Sequence, residues 1–231
     1  LNGTINMEIA DTYLADEKFK ESLPFLNKVI AGKNNESLKP KAYLKSGLAQ
    51  YNLDNLNEAL LAFKTLLKQY PQSEESEEAI DNVRSIYLEQ GKPEGYVNFL
   101  AEVGRKVDTN VADSLTYVAA ELQYSDGKKE AALGSFKNYI SKYPEGRYAV
   151  EANYYAAEMT RENKNLKESV SYYDVVAEKA PNKYAERSLV FLARMHYFDF
   201  KDYAKAVQYY QQLKNFAESA DTRLESMRGL I

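Results

Sequence analysis

No cysteine occurs in the 231 residues, which removes disulfides, thiolate nucleophiles, iron–sulfur clusters and cysteine-ligated zinc together. Tryptophan is absent too, and histidine occurs once, as His196. A zinc site would have to rest on that imidazole and carboxylates alone. A Ser-His-Asp triad would depend on the same residue, and no Gly-x-Ser-x-Gly turn is present to offer a nucleophile. Within the apolar stretch 189–200, His196 reads as a buried, hydrogen-bonded structural residue. The chain is expected to use no metal and no cofactor, and not to be an enzyme. Glycine (10) and proline (6) are scarce beside 20 tyrosines and 9 phenylalanines, which leaves little material for a turn-rich β fold and much for packed helices. The string Gly91-Lys92-Pro93-Glu94-Gly95 lacks the length and trailing Lys-Ser/Thr of a phosphate loop. Positive charge is not in surplus: the net charge of -4 argues against phosphate neutralisation and so against a nucleic-acid partner. No apolar run is long enough to span a bilayer, so direct membrane insertion is not expected.

What the chain has is a period. Ser22, Ala59, Tyr96, Ala132, Ser169 and Ala206 recur at separations of 37, 37, 36, 37 and 37, and a period of this size marks a solenoid. Four residues after each comes a bulky apolar or aromatic side chain (Leu26, Phe63, Leu100, Phe136, Tyr173, Tyr210), and three later another (Val29, Leu66, Val103, Tyr139, Val176, Leu213). Steps of four and three fall on one helical face. Twelve residues before each marker stand Ala10, Gly47, Arg84, Ala120, Ala157 and Arg194, embedded in a second helical pattern. Each repeat is therefore a helical hairpin, and the whole reads as thirteen helices in antiparallel pairs. Tyr70-Pro71, Tyr143-Pro144 and Ala180-Pro181 end the second helices. Leu53-Asp54-Asn55, Gln90-Gly91-Lys92, Asp126-Gly127-Lys128 and Lys164-Asn165 supply the turns inside the hairpins. The acidic run Glu74-Glu75-Ser76-Glu77-Glu78 reads as a helix N-terminus, where carboxylates meet the positive end of the helix dipole.

Gly47, Ala59, Phe63 and Pro71, and again Ala120, Ala132, Phe136 and Pro144, resemble the landmarks of the tetratricopeptide repeat. The resemblance covers nearly the whole chain. It implies an all-α fold, a right-handed α-solenoid superhelix of about six hairpins plus a terminal helix. The repeats fall near 4–34, 36–71, 73–108, 111–144, 147–181 and 183–216, the extra helix at 217–230, and residues 1–231 form one solenoid. The chain reads as a piece of a longer protein. The bulky Tyr96 and Pro93 depart from the pattern and are expected to splay the third hairpin. A period longer than the usual ~34 residues, with phrases such as Gly146-Arg147-Tyr148-Ala149-Val150-Glu151, is similar to bacterial envelope proteins of the outer-membrane assembly lipoprotein and Tol–Pal-associated types.

In that family the exposed side of the first helices lines a concave groove. The resemblance puts there Met7/Asp11/Leu14, Leu44/Leu48/Tyr51, Asp81/Ser85/Leu88, Tyr117/Glu121/Tyr124, Tyr154/Glu158/Arg161 and Phe191/Met195/Phe198. Tyr13, Tyr87, Tyr173, Tyr197, Tyr203 and Tyr210 fall on the faces that join helix to helix and read as core. Tyr51, Tyr117, Glu121, Tyr124, Tyr154, Glu158, Phe191, Met195 and Phe198 are the candidate binding residues. An exposed aromatic wall of that size marks an interaction surface, unless neighbouring repeats close over it. The Lys and Asn residues by which chaperone-binding members hold a terminal carboxylate are not matched, since Tyr117, Glu121, Tyr154 and Glu158 stand at the comparable positions. The expected partner is a protein or peptide segment with apolar and basic side chains. Two other readings remain open: a cytoplasmic adaptor, and the helical support domain of a larger enzyme or carbohydrate-uptake lipoprotein.

Overall fold

The computed structural model describes residues 2–217 and 219–231. Among them lie thirteen α-helices and no strand. They form two compact units, Leu1–Asp108 and Thr109–Ile231. The first holds three hairpins: α1 (Gly3–Ala15) with α2 (Phe19–Ala31), α3 (Lys39–Asn52) with α4 (Leu56–Gln69), and α5 (Glu74–Glu89) with α6 (Pro93–Glu102). The second holds α7 (Thr109–Ser125) with α8 (Lys129–Lys142), α9 (Ala149–Glu162) with α10 (Leu166–Glu178), α11 (Ala185–Arg194) with α12 (Tyr203–Phe216), and then α13 (Ala220–Arg228). In each unit the hairpins stack as an α-solenoid: the two helices of a hairpin touch, and the second touches the first helix of the next hairpin of the same unit, with α13 against α12 at the end.

The turns inside the hairpins follow one construction. Glu17, Asp54, Gly91, Gly127, Lys164 and Lys201 all have left-handed backbone, with φ between 54° and 74°. Their positions repeat the 37, 37, 36, 37, 37 series of the small-residue markers. This is a left-handed helix stop, in which a late N–H turns back to a carbonyl of the last helical turn. In the first five hairpins it spans five residues, as from the Lys18 N–H to the Tyr13 carbonyl at 2.8 Å and from the Asn165 N–H to the Thr160 carbonyl at 2.9 Å. In the sixth it spans six, from the Asp202 N–H to the His196 carbonyl at 2.8 Å, because α11 runs into a π-helical turn at Met195–Asp199.

Small residues sit where hairpins cross. Ala10, Ala59, Ala120, Ala132, Ala157 and Ala206 are buried, and a Cβ on Gly47 would collide with the ring of Phe63. The third hairpin uses a different position: Gly95, one residue before Tyr96, meets the Tyr87 ring. Tyr96 is buried beside it and Arg84 is exposed. A tyrosine is too large for a close crossing, and the neighbouring glycine takes that place. Between repeats, side chains bind the last carbonyls of the second helices. Asn35 Nδ2 donates to Val29 O at 3.2 Å, Ser76 Oγ to Tyr70 O at 2.7 Å and Asn182 Nδ2 to Val176 O at 2.9 Å. The acidic run does open a helix, α5, and its Glu77 accepts from Arg105 at 2.8 Å.

His196 is buried but not hydrogen-bonded as expected. Neither ring nitrogen has a partner within hydrogen-bonding distance, and the nearest carboxylate oxygen, Asp202 Oδ2, lies 3.8 Å from Nδ1. Phe200 and Tyr209 hold the ring by its faces and edges. Burial first, then Lys205, pushes its pKa below the ordinary value, against the opposing pull of Asp202 and Asp174. Just below that ordinary value the unfolded chain therefore binds the proton more readily than the folded one, so stability falls with acidification. Denaturant midpoints should drop between pH 7.5 and 5.5 for the wild type and stay level for His196→Phe. Parallel pH profiles for the two would show that His196 does not carry the effect.

Candidate functional site

The burial pattern sets the register of the first helices in the second unit. Leu115, Thr116, Tyr117, Ala119, Ala120 and Gln123 of α7 are matched 37 residues later by Ala152, Asn153, Tyr154, Ala156, Ala157 and Thr160 of α9, all buried. From α9 to α11 the interval is 36: Ala152, Ala156, Ala157, Met159 and Thr160 become Ser188, Leu192, Ala193, Met195 and His196, again all buried. The π turn after α11 restores the missing residue, so the flanking landmarks still stand 37 apart. One residue on a helix is about 100° of rotation. Phe191, Met195 and Phe198 are accordingly not the counterparts of Tyr154, Glu158 and Arg161. Those counterparts are Val190, Arg194 and Tyr197. Met195 is buried, as Met159 is, and the same rotation leaves Tyr197 exposed rather than in the core. Tyr203, at the start of α12, is also exposed.

Tyr117 and Tyr154 are buried as well, at 5% and 7% exposure. The turn leading into the next repeat brings a tyrosine down onto each. Tyr148 stacks on Tyr117 with ring centroids 4.4 Å apart and planes 8° from parallel. Tyr184 stacks on Tyr154 at 4.2 Å and 17°. A cation covers each outer ring, Arg147 over Tyr148 at 5.6 Å and Lys183 over Tyr184 at 4.7 Å. Burial, reinforced by Glu121 beside Tyr117 and Glu158 beside Tyr154, raises the pKa of both hydroxyls. These two residues belong to the core between repeats, not to a surface open to a ligand. The pair Tyr148 and Tyr184 was visible in sequence at a spacing of 36, each just before a small residue that opens a helix.

Glu158 is not an open acidic group either. Only 13% of its side chain is exposed. Tyr173 donates its hydroxyl to it, Arg161 reaches it at 3.2 Å and Arg187 at 3.0 Å. Both guanidiniums also lie over the Phe191 ring, Arg161 at 4.1 Å and Arg187 at 5.4 Å. Glu121, its counterpart on α7, is exposed; the Tyr117 hydroxyl donates to it at 3.4 Å, and Lys183 acts on it through space at longer range. Tyr124 and Tyr155 lie together at 5.2 Å, and burial pushes the Tyr155 hydroxyl up to about 12. Tyr51 belongs to the first unit, half-buried on α3, with its hydroxyl donating to Glu89 at 2.8 Å.

A partly exposed row remains. Tyr124, Arg161 and Tyr197 hold one position in three successive repeats, with Tyr155 and Phe191 a step inside them. Tyr124 is 36% exposed, and Phe198 beyond the row 66%. Among the described residues no group of His, Asp and Glu is arranged to hold a metal ion, and no helix is long and apolar enough to cross a membrane.

Comparison with known proteins gives two matches to family models described as tetratricopeptide repeat, at residues 41–73 and 117–184. No curated protein matches the chain. Among solved structures, one from work on Pseudomonas aeruginosa pilF is 15% identical, with 98% of this chain and 96% of that one covered and a TM-score of 0.42. The C-terminal part of a TPR repeat-containing protein from Cytophaga hutchinsonii is 16% identical over 97% and 99% of the two chains, at 0.41. The TPR2AB domain of yeast Sti1, solved in complex with a pHSP90, is 12% identical over 99% and 96%, at 0.39.

Proposed function

We infer that this chain, which carries tetratricopeptide repeats at residues 41–73 and 117–184, is a non-enzymatic scaffold that holds an extended segment of a partner protein. The segment lies along the first helices of the second unit. The observation that carries this reading is the row Tyr124, Arg161 and Tyr197, a planar side chain presented at one position in three repeats, backed by Tyr155 and Phe191. Tyrosine rings have few rotatable bonds and lose little entropy when a partner fixes them, and Arg161 is already held by Glu158 and Phe191. Both residue types are frequent hot spots at protein interfaces. Tyr117, Tyr154 and Met195 support that surface from beneath. With this reading we keep the bacterial envelope-assembly setting suggested by the long repeat.

The test starts from a random peptide library displayed against the full chain. Selected peptides should lose about 2 kcal/mol of affinity for the double variant Tyr124→Ala/Tyr197→Ala, in line with aromatic hot spots. Tyr124 packs on Tyr155 and Tyr197 on Tyr203, so the variant should melt somewhat lower than wild type, and binding is compared at a temperature where both are folded. Peptides that bind the double variant as tightly as wild type would sink the proposal.

A further inference from the structure

The second unit contains its own pattern for a ligand. At Glu158 the protein surrounds a carboxylate with two guanidiniums, a tyrosine hydroxyl and an aromatic ring. One repeat earlier, at Glu121, each of those partners is replaced. By the register of the helices, Tyr124 stands where Arg161 does, Glu151 where Arg187 does, and Phe136, which has no hydroxyl, where Tyr173 does. The ring is kept: Tyr155 occupies the place of Phe191. Glu121 thus has the carboxylate and the ring of the filled site but neither of its guanidiniums, with Lys183 the cation that acts on it at longer range. Glu151 adds a second carboxylate, met only loosely by Lys183 at 3.8 Å.

We propose that Glu121, with Tyr124 and Tyr155, seats an arginine side chain of the partner segment, an inference that rests on the scaffold reading above. The seat favours arginine over lysine. A guanidinium is flat, stacks on an aromatic face and presents two parallel donors to a carboxylate, whereas an ammonium is a strongly hydrated point charge. Arg161 shows both contacts at once, over Phe191 and against Glu158. The neighbouring site is already filled from within, so one arginine is expected in the segment at this level.

Peptides selected on the full chain are compared with analogues in which each arginine becomes citrulline, which keeps the shape and removes the charge. Arginine should be enriched among the selected sequences. Glu121→Gln should weaken binding about tenfold, the effect of one charge-assisted contact. The citrulline analogue should bind as weakly to wild type, and combining the two changes should cost no more than either. Binders that depend on Tyr124 and Tyr197 but carry no arginine, or that are indifferent to Glu121→Gln, overturn the arginine seat and leave the scaffold reading standing. A library that yields no binder, or binders indifferent to the Tyr124→Ala/Tyr197→Ala variant, overturns both.

Discussion

Replacing Tyr154 by alanine is expected to destabilise the second unit by about 3–5 kcal/mol, the range for emptying a buried aromatic site. The ring is packed against Tyr155, Tyr173 and Tyr184, and its loss would leave Tyr184 without the face it covers. Since a domain is stable by only about 5–15 kcal/mol in total, the variant would sit near its unfolding threshold. Tyr154→Phe should be close to neutral, because the contacts are made by the ring. Urea unfolding of the three proteins decides the matter: an alanine midpoint equal to wild type would mean that Tyr154 is not a core residue. The same result bears on function. Weakened partner binding by Tyr154→Ala would report a damaged fold, so that variant cannot serve as a probe of the binding surface.

Asp113 should matter almost as much. It is a buried carboxylate on α7, and it accepts the Tyr139 hydroxyl on one oxygen and the Arg147 N–H at 2.9 Å on the other. Tyr139, itself fully buried, accepts in turn from the Tyr148 N–H at 2.9 Å. The chain of bonds joins α7, α8 and the turn that delivers Tyr148. Asp113→Ala would leave two donors without their acceptor, at roughly 1–3 kcal/mol each, or about 3 kcal/mol in all. Asp113→Asn keeps one acceptor and should cost about half as much. Thermal melts beside the exposed control Asp126→Ala test this, and equal melting temperatures for Asp113→Ala and Asp126→Ala would refute it.

Much of the fold was legible because its signals are local and repeated. Small residues at Ala59 and Ala132, bulky ones four and seven positions later, and turn residues at Asp54, Gly91 and Gly127 each act within one hairpin. The site was less legible, for three physical reasons. The change of register at α11 is cancelled by the π turn, so landmarks outside the helix kept their spacing and concealed a rotation inside it. Tyr117 and Tyr154 are covered by rings 31 and 30 residues away, whose role depends on how a turn folds back. Arg187 neutralises Glu158 across 29 residues, a pairing that no spacing within one helix discloses. Glu121 and Tyr124 are exposed, as their places on α7 lead one to expect.

The tyrosines of the connecting turns bear on how the second unit melts. Tyr148 completes the interior of the α7–α8 hairpin yet is carried by the backbone that starts α9, and Tyr184 does the same for α9–α10 from the start of α11. A repeat whose interior is finished by its successor cannot come apart alone, because its successor's first turn comes apart with it. In a linear array, stability divides between what each repeat supplies and what each junction supplies. Here the junction share is large, so Thr109–Ile231 should lose its structure in a single cooperative step instead of fraying one hairpin at a time.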